Sequence, residues 1–302
     1  MEEDEVEGAA ADGCAPSLRG GEEAAAAQEA ARVFHPSCLR LYAPARSRAL
    51  RGLVADLREQ CTSKSNDGVA LAAESMHAAM FGLSATMCFG DGVDAGLVRA
   101  MAATRRSSSG PSLFLGAGTE PPTAELQWIM ANLVKHLDVQ EAVRREIEAV
   151  VGVDADEVGE EDLGRMQYLN AVLMEALRLH PSVPTVVMPE DHVVLDGQRV
   201  TAGTIVQFPL ERLGRDKTSW ADPDEFQPER FLASGGGNGV SLVAVAGSAG
   251  EIRMMPFGAG RRMCPGMGVA MLHLGYFVAN LVREFEWTEA EGDMAIDLEP
   301  HV

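Results

Sequence analysis

Apolar residues recur at helical spacing through most of the chain. Leu50, Leu53, Val54 and Leu57 fall at i, i+3, i+4 and i+7 and predict a helix over about 44–60. A polar turn over 61–68 separates it from a second helix over about 69–87, which ends before the turn Gly90-Asp91-Gly92. The Ser- and Gly-rich run 105–110 reads as a linker. Beyond it, Leu126, Ile129, Met130, Leu133, Val134 and Leu137 form an amphipathic stripe. Further helices are predicted over about 140–150 and 164–179. The second of these carries Leu169, Val172, Leu173, Ala176 and Leu177 on one side and is stopped by Pro181. Alternation changes to period two over 192–208, where Val193, Val194, Leu195, Val200, Ile205, Val206 and Phe208 flank Asp196-Gly197, so a β-hairpin is expected there. Residues 216–239 read as loop, and a last helix is predicted from about 266 to 285.

The fold class expected is therefore mainly α with a small β portion. Residues 1–30 hold Ala, Glu and Gly with almost no large apolar side chain. Ala and Glu favour helix, but without a face to bury the segment is expected to be mostly disordered. Over the whole 302 residues, 46% are hydrophobic and 23% charged, enough to build a sizeable core. The formal charge of −20 opposes binding to nucleic acid, whose phosphates require Lys and Arg, and to anionic lipid surfaces. The five cysteines are scattered without a CxxC pair, which argues against a disulfide framework or a zinc site and for a reducing compartment. No apolar run reaches the ~18 residues of a membrane-spanning helix, and the acidic start is unlike a secretory signal.

Chemistry concentrates in Pro256-Phe257-Gly258-Ala259-Gly260-Arg261-Arg262-Met263-Cys264-Pro265-Gly266. A cysteine between a Gly-rich loop and a helix start suits a metal thiolate, because helix N-terminal N–H groups favour an anionic sulfur. Glycines allow close approach of a flat cofactor, Arg262 can pair with a carboxylate of that cofactor, and Phe257 can shield its face. The alternative is a buried structural cysteine beside a glycine turn. Phe257, Gly260, Arg262, Cys264 and Gly266 match every fixed position of FxxGxRxCxG, so the loop resembles the haem-binding loop of the cytochrome P450 family. The resemblance implies that Cys264 is the axial ligand of haem b (iron protoporphyrin IX) and that Arg262 contacts a haem propionate. A thiolate ligand pushes electron density toward iron and favours O–O cleavage.

Two further segments carry the resemblance. Glu175-Ala176-Leu177-Arg178, followed by Leu179-His180-Pro181, looks like the family's ExxR helix; residues three apart share a face, so Glu175 and Arg178 can pair. Pro228-Glu229-Arg230-Phe231 resembles its PERF segment, which implies a structural triad of Glu175, Arg178 and Arg230 behind the haem loop. Leu213-Gly214-Arg215-Asp216 and Trp220-Ala221-Asp222-Pro223 look like the family's loop before PERF. The likeness covers about 112–290, is fainter over 34–93 and is absent from 1–30. Around Leu126-Gln127-Trp128 it is most similar to plant microsomal members. The division expected is a disordered terminus 1–30, partial N-terminal helices 31–104, a linker 105–111 and a haem-binding core 112–302 in a truncated version of the family fold.

The oxygen-side motif departs from the family's (A/G)Gx(D/E)T(T/S). Here Ala117-Gly118-Thr119-Glu120-Pro121-Pro122 keeps the acid as Glu120, a proton route by resemblance, but puts Pro121 at the threonine. Two prolines mid-helix cost about 3 kcal/mol or more each, so the helix is expected to break at Glu120 and restart at Pro121. Thr119 and Thr123 are the nearest hydroxyls. The family's propionate-binding Trp has no counterpart before Trp128. The helices that roof its substrate pocket are replaced by the short stretch between Asp94 and Pro111, and His192 reads as an exposed turn histidine. Cys14, Cys38, Cys61 and Cys88 read as incidental or buried.

Three functions remain open. The first is a monooxygenase that inserts one atom of O2 into a small apolar molecule, with NADPH electrons arriving only through a reductase. The second is a non-catalytic, haem-binding remnant, and the third an acidic interaction protein without cofactor. The resemblance implies the endoplasmic reticulum membrane, whereas a chain without an anchor is expected to be soluble in the cytoplasm.

Overall fold

In the computed structural model, which describes residues 36–63, 69–92, 110–182, 185–187, 192–233, 252–259 and 263–290, the helical periodicities become six long helices. They are α1 (Ala43–Thr62), α2 (Ala72–Phe89), α3 (Gly110–Lys135), α4 (Leu137–Val151), α5 (Gln167–Leu179) and α6 (Met267–Glu284). The expected disordered terminus and residues 105–109 of the linker lie outside the described residues; Gly110 and Pro111, also assigned to the linker, open α3.

Helix α3 is the axis of the core and packs against α2, α4, α5 and α6. Leu126, Ile129 and Leu133 of α3 are fully buried with Val143 and Ile147 of α4, Val172 and Ala176 of α5, and Phe277, Val278 and Leu281 of α6. Each fully buried aliphatic or aromatic side chain contributes about 1.5–3 kcal/mol. Residues 273–282 of α6 are buried on every side. The polar member Asn280 is satisfied there: its Oδ1 accepts the Val158 N–H at 2.8 Å and its Nδ2 donates to the Tyr276 carbonyl at 2.8 Å.

Some boundaries differ from those expected. Leu137 starts α4 instead of ending the preceding stripe, and it is exposed. The helix expected over 164–179 is a single turn, Glu160–Leu163, followed by α5 from Gln167. Glu146 of α4 decides that start: its two carboxylate oxygens accept the N–H groups of Tyr168 and Leu169, both at 2.8 Å, which satisfies donors that a helix beginning cannot satisfy itself.

The β portion also needs a correction. The hairpin consists of β2 (Val193–Leu195) and β3 (Gln198–Val200), with Asp196 at φ 46° and Gly197 at φ 74° as a two-residue turn demands. Val206–Phe208, expected to belong to it, is β4 and pairs antiparallel with β1 (Thr185–Val187), a strand the alternation pattern missed. Three residues are too few to show a period.

The expected break at Glu120 does not occur; α3 runs unbroken through Pro121 and Pro122. Without their N–H groups, the carbonyls of Ala117 and Gly118 lose their helical donors. Ala117 is exposed, so water reaches its carbonyl. The carbonyl of Gly118 accepts the Ser84 hydroxyl of α2 at 2.8 Å instead. The helices come close enough because residue 118 is glycine: a Cβ there would stand 3.3 Å from Ser84 Oγ. Ser84→Ala is expected to destabilise the chain by about 0.5–1.5 kcal/mol, the net worth of a hydrogen bond to a half-buried carbonyl, in urea unfolding. Most of that loss disappears in a Pro122→Ala background, whose N–H is restored to the same carbonyl.

Candidate functional site

The cysteine loop enters from residues 252–259, and 263–266 lead into α6. A turn in which the Gly258 N–H donates to the Met255 carbonyl at 3.1 Å reverses the chain, with Gly258 at φ 71°, a conformation that favours glycine. The Cys264 N–H closes the loop on the Phe257 carbonyl at 2.9 Å. Gly266 is the N-cap of α6. The half-buried Cys264 sulfur accepts the N–H groups of Gly266 and Met267. Burial pushes the thiol above its ordinary pKa, and these two bonds pull the other way. Gly260 and Arg262 lie outside the described residues. Phe257 is half-buried and packs, with Met255, on Met174 and Leu177 of α5, Trp220 and Met254. The loop is thus fixed to the helix that carries Glu175 and Arg178.

Those two side chains are fully buried and paired in a fork: Arg178 Nε to Glu175 Oε2 and Arg178 Nη2 to Glu175 Oε1, both at 2.7 Å. Arg178 Nη1 donates to the carbonyls of Gly214 and Pro223, both at 2.6 Å, and Nη2 to that of Glu225 at 3.1 Å. All N–H donors of the guanidinium therefore have acceptors, which offsets its desolvation. Arg230 joins from Nε to Glu175 Oε1 at 3.0 Å, and the Gln227 N–H reaches the same oxygen at 2.8 Å. Trp220 completes the cluster. The guanidinium carbons of Arg253, Arg178 and Arg230 lie 4.2, 5.2 and 6.0 Å from its ring centroid. Gly214 abuts Arg178 so closely that a Cβ would fall on the Arg178 carbonyl oxygen. Gly214→Ala is expected to cost about 1–3 kcal/mol in thermal or urea unfolding, as overpacking of a rigid site does.

The oxygen-side residues of the motif diverge. Glu120 is exposed and pairs with His77 of α2, Nε2 to Oε1 at 3.3 Å. Thr119 and Thr123 are buried, and neither hydroxyl has a hydrogen-bond partner among the described residues. Sequence reasoning passed over Glu125, which is 4% exposed and bonded to Ser182. His192 is exposed, and its Nδ1 accepts the Ala202 N–H at 3.2 Å.

Together these features define a mainly helical core in which a buried Glu–Arg–Arg network backs a cysteine loop. The family model "Cytochrome P450" matches residues 112–301, more than half of the chain, and the chain belongs to that family. It is 42% identical to "Cytochrome P450 89A9" of Arabidopsis thaliana over 189 residues, which cover 60% of this chain and 36% of that protein. It is 41% identical to "Cytochrome P450 93G1" of Oryza sativa subsp. japonica over 184 residues, 61% of this chain and 34% of the relative. Against "Cytochrome P450 78A1" of Zea mays the identity is 39% over 186 residues, covering 60% and 33%. All three relatives are plant proteins, and the chain spans about a third of their length. Haem b is the cofactor of the family, and its electrons come from a reductase. The donor set around Cys264 fits that group: one soft sulfur of a half-buried cysteine receives two backbone N–H groups at the start of a helix. Among the described residues, no helix is long and apolar enough to cross a membrane.

Proposed function

We propose that residues 112–302 form the haem-binding core of a monooxygenase-type oxidoreductase that inserts one atom of O2 into a small apolar molecule. The carrying observation is Cys264, whose sulfur is held at the start of α6 by the N–H groups of Gly266 and Met267. In this reading Cys264 holds the iron and Arg262 a propionate. Phe257 shields the sulfur side, and Gly260 and Gly266 keep the backbone close to the cofactor plane. Glu175, Arg178 and Arg230 hold the loop's foundation rigid. Glu120, exposed beside His77, exchanges protons with solvent. Bound haem supplies the activation of O2; the protein binds, orients and excludes water. Electrons reach it from an NADPH-dependent flavoprotein reductase, and the endoplasmic reticulum membrane is the location that accompanies such a partner.

Pro121 favours a second reading, haem binding without turnover. It leaves the threonine position of α3 without a hydroxyl, and the neighbouring Thr119 and Thr123 are buried. Adding haemin, reducing the protein and admitting carbon monoxide tests the common ground; a Soret band red-shifted as for thiolate-bound haem is expected. NADPH consumption with a reductase then separates the two readings, since substrate-dependent consumption supports the monooxygenase and its absence supports the remnant.

A further inference from the structure

Glu125 stands one helical turn beyond Pro121, on the same face of α3. Ser182 shows this directly: its hydroxyl reaches both the Pro121 carbonyl, at 3.3 Å, and Glu125 Oε1. The Ser182 N–H donates to Oε1 as well, at 2.9 Å. The other oxygen, Oε2, is buried and has no partner among the described residues. A carboxylate with one oxygen buried and unpartnered costs more than a protonated carboxyl in the same place. The titratable and charged groups on the surrounding elements are engaged elsewhere. His77 of α2 meets Glu120, Glu146 of α4 caps α5, and Glu175 and Arg178 of α5 bond each other. His180 stacks on Trp128 at 4.2 Å and is held neutral by burial, its pKa lowered to about 4; burial likewise lowers His273 of α6 to about 3.

We infer that Glu125, with Ser182, is the proton-holding pair on the face of α3 that carries Pro121, where the family's hydroxyl is missing. The inference rests on the proposed function for its placement on the oxygen side. The carboxyl stores one proton on Oε2 and becomes a carboxylate when the proton leaves, while the two Ser182 bonds hold the charge that forms on Oε1. Glu125 acts as a positioned proton store, distinct from the exposed Glu120.

The experiment uses the full chain labelled with carboxyl-13C glutamate and follows the carboxyl resonances by NMR against pH, with Glu125→Gln assigning the signal. Burial raises the Glu125 pKa to about 7, against the lowering effect of Ser182, so its resonance is expected to titrate near that pH. Ser182→Ala, which removes only a hydroxyl, is expected to move the midpoint higher. In haem-loaded protein, the visible spectrum of the ferric state is expected to change with the same midpoint, and Glu125→Gln abolishes that change. A Glu125 resonance in the ordinary carboxylate range, or a midpoint unmoved in Ser182→Ala, overturns the proton-holding pair. A pH-independent ferric spectrum in protein that shows the thiolate CO band overturns its oxygen-side placement. Absence of the CO band in the parent is a separate failure, that of the haem reading, and overturns the placement with it.

Discussion

Cys264→Ala is expected to abolish the red-shifted Soret band proposed for the reduced CO complex while leaving the helical content of the chain unchanged. The two halves of this expectation have different causes. The band requires a thiolate on iron, and among the described cysteines Cys264 is the one whose sulfur receives N–H donors from a helix start. Burial keeps this thiol protonated at neutral pH without a metal, and coordination itself removes the proton. The fold persists because Cys264 is only half-buried and contributes its backbone, not its side chain, to the loop closure on the Phe257 carbonyl. Cys264→His is the discriminating control: it retains a ligand but not a thiolate, so haem stays bound without the red-shifted band. A parent-like band in Cys264→Ala would place the ligand elsewhere.

The second large effect concerns stability. Arg178→Ala is expected to lose about 3–5 kcal/mol, because in a site with 0% side-chain exposure it removes the forked partner of Glu175, leaving only Arg230 and the Gln227 N–H on Oε1, and unpairs the carbonyls of Gly214 and Pro223. Against a total of roughly 5–15 kcal/mol for a domain, this is a large fraction of the stability. An exposed pair at the same i, i+3 spacing is worth about 0–1 kcal/mol, so urea unfolding followed by circular dichroism distinguishes the cases sharply. Arg178→Lys recovers part of the loss only: an ammonium restores charge but cannot span Glu175 and the carbonyls of Gly214, Pro223 and Glu225 at once. A loss below ~1 kcal/mol would contradict the buried network.

The residues of the network show how far a sequence reaches. Glu175 and Arg178 lie three apart, so their pairing was legible from helical geometry, and the family likeness supplied Arg230. The three carbonyls that complete Arg178, the close approach of Gly214 and the stack of three guanidinium groups on Trp220 were not legible. They join residues 10 to 47 positions apart, and no local spacing encodes such contacts. Glu125 was missed for a related reason. In the sequence it is one acid on a helix, and only its burial and its bond to Ser182, 57 residues away, set it apart.

By itself the sequence determined the helices whose apolar residues repeat, the hairpin turn at Asp196-Gly197 and the cysteine loop with its family. These are local properties, set by side-chain period, by backbone preference and by residues a few positions apart. The tertiary structure alone decided that α3 passes through Pro121 and Pro122 unbroken, and that β4 leaves the hairpin to pair with β1. It also decided which acid on α3 is buried. Local propensity opposed the first of these and was silent on the other two. In each, a partner distant in sequence tips the balance: the Ser84 hydroxyl accepted by Gly118, the strand at residues 185–187, and the Ser182 bonds to Glu125.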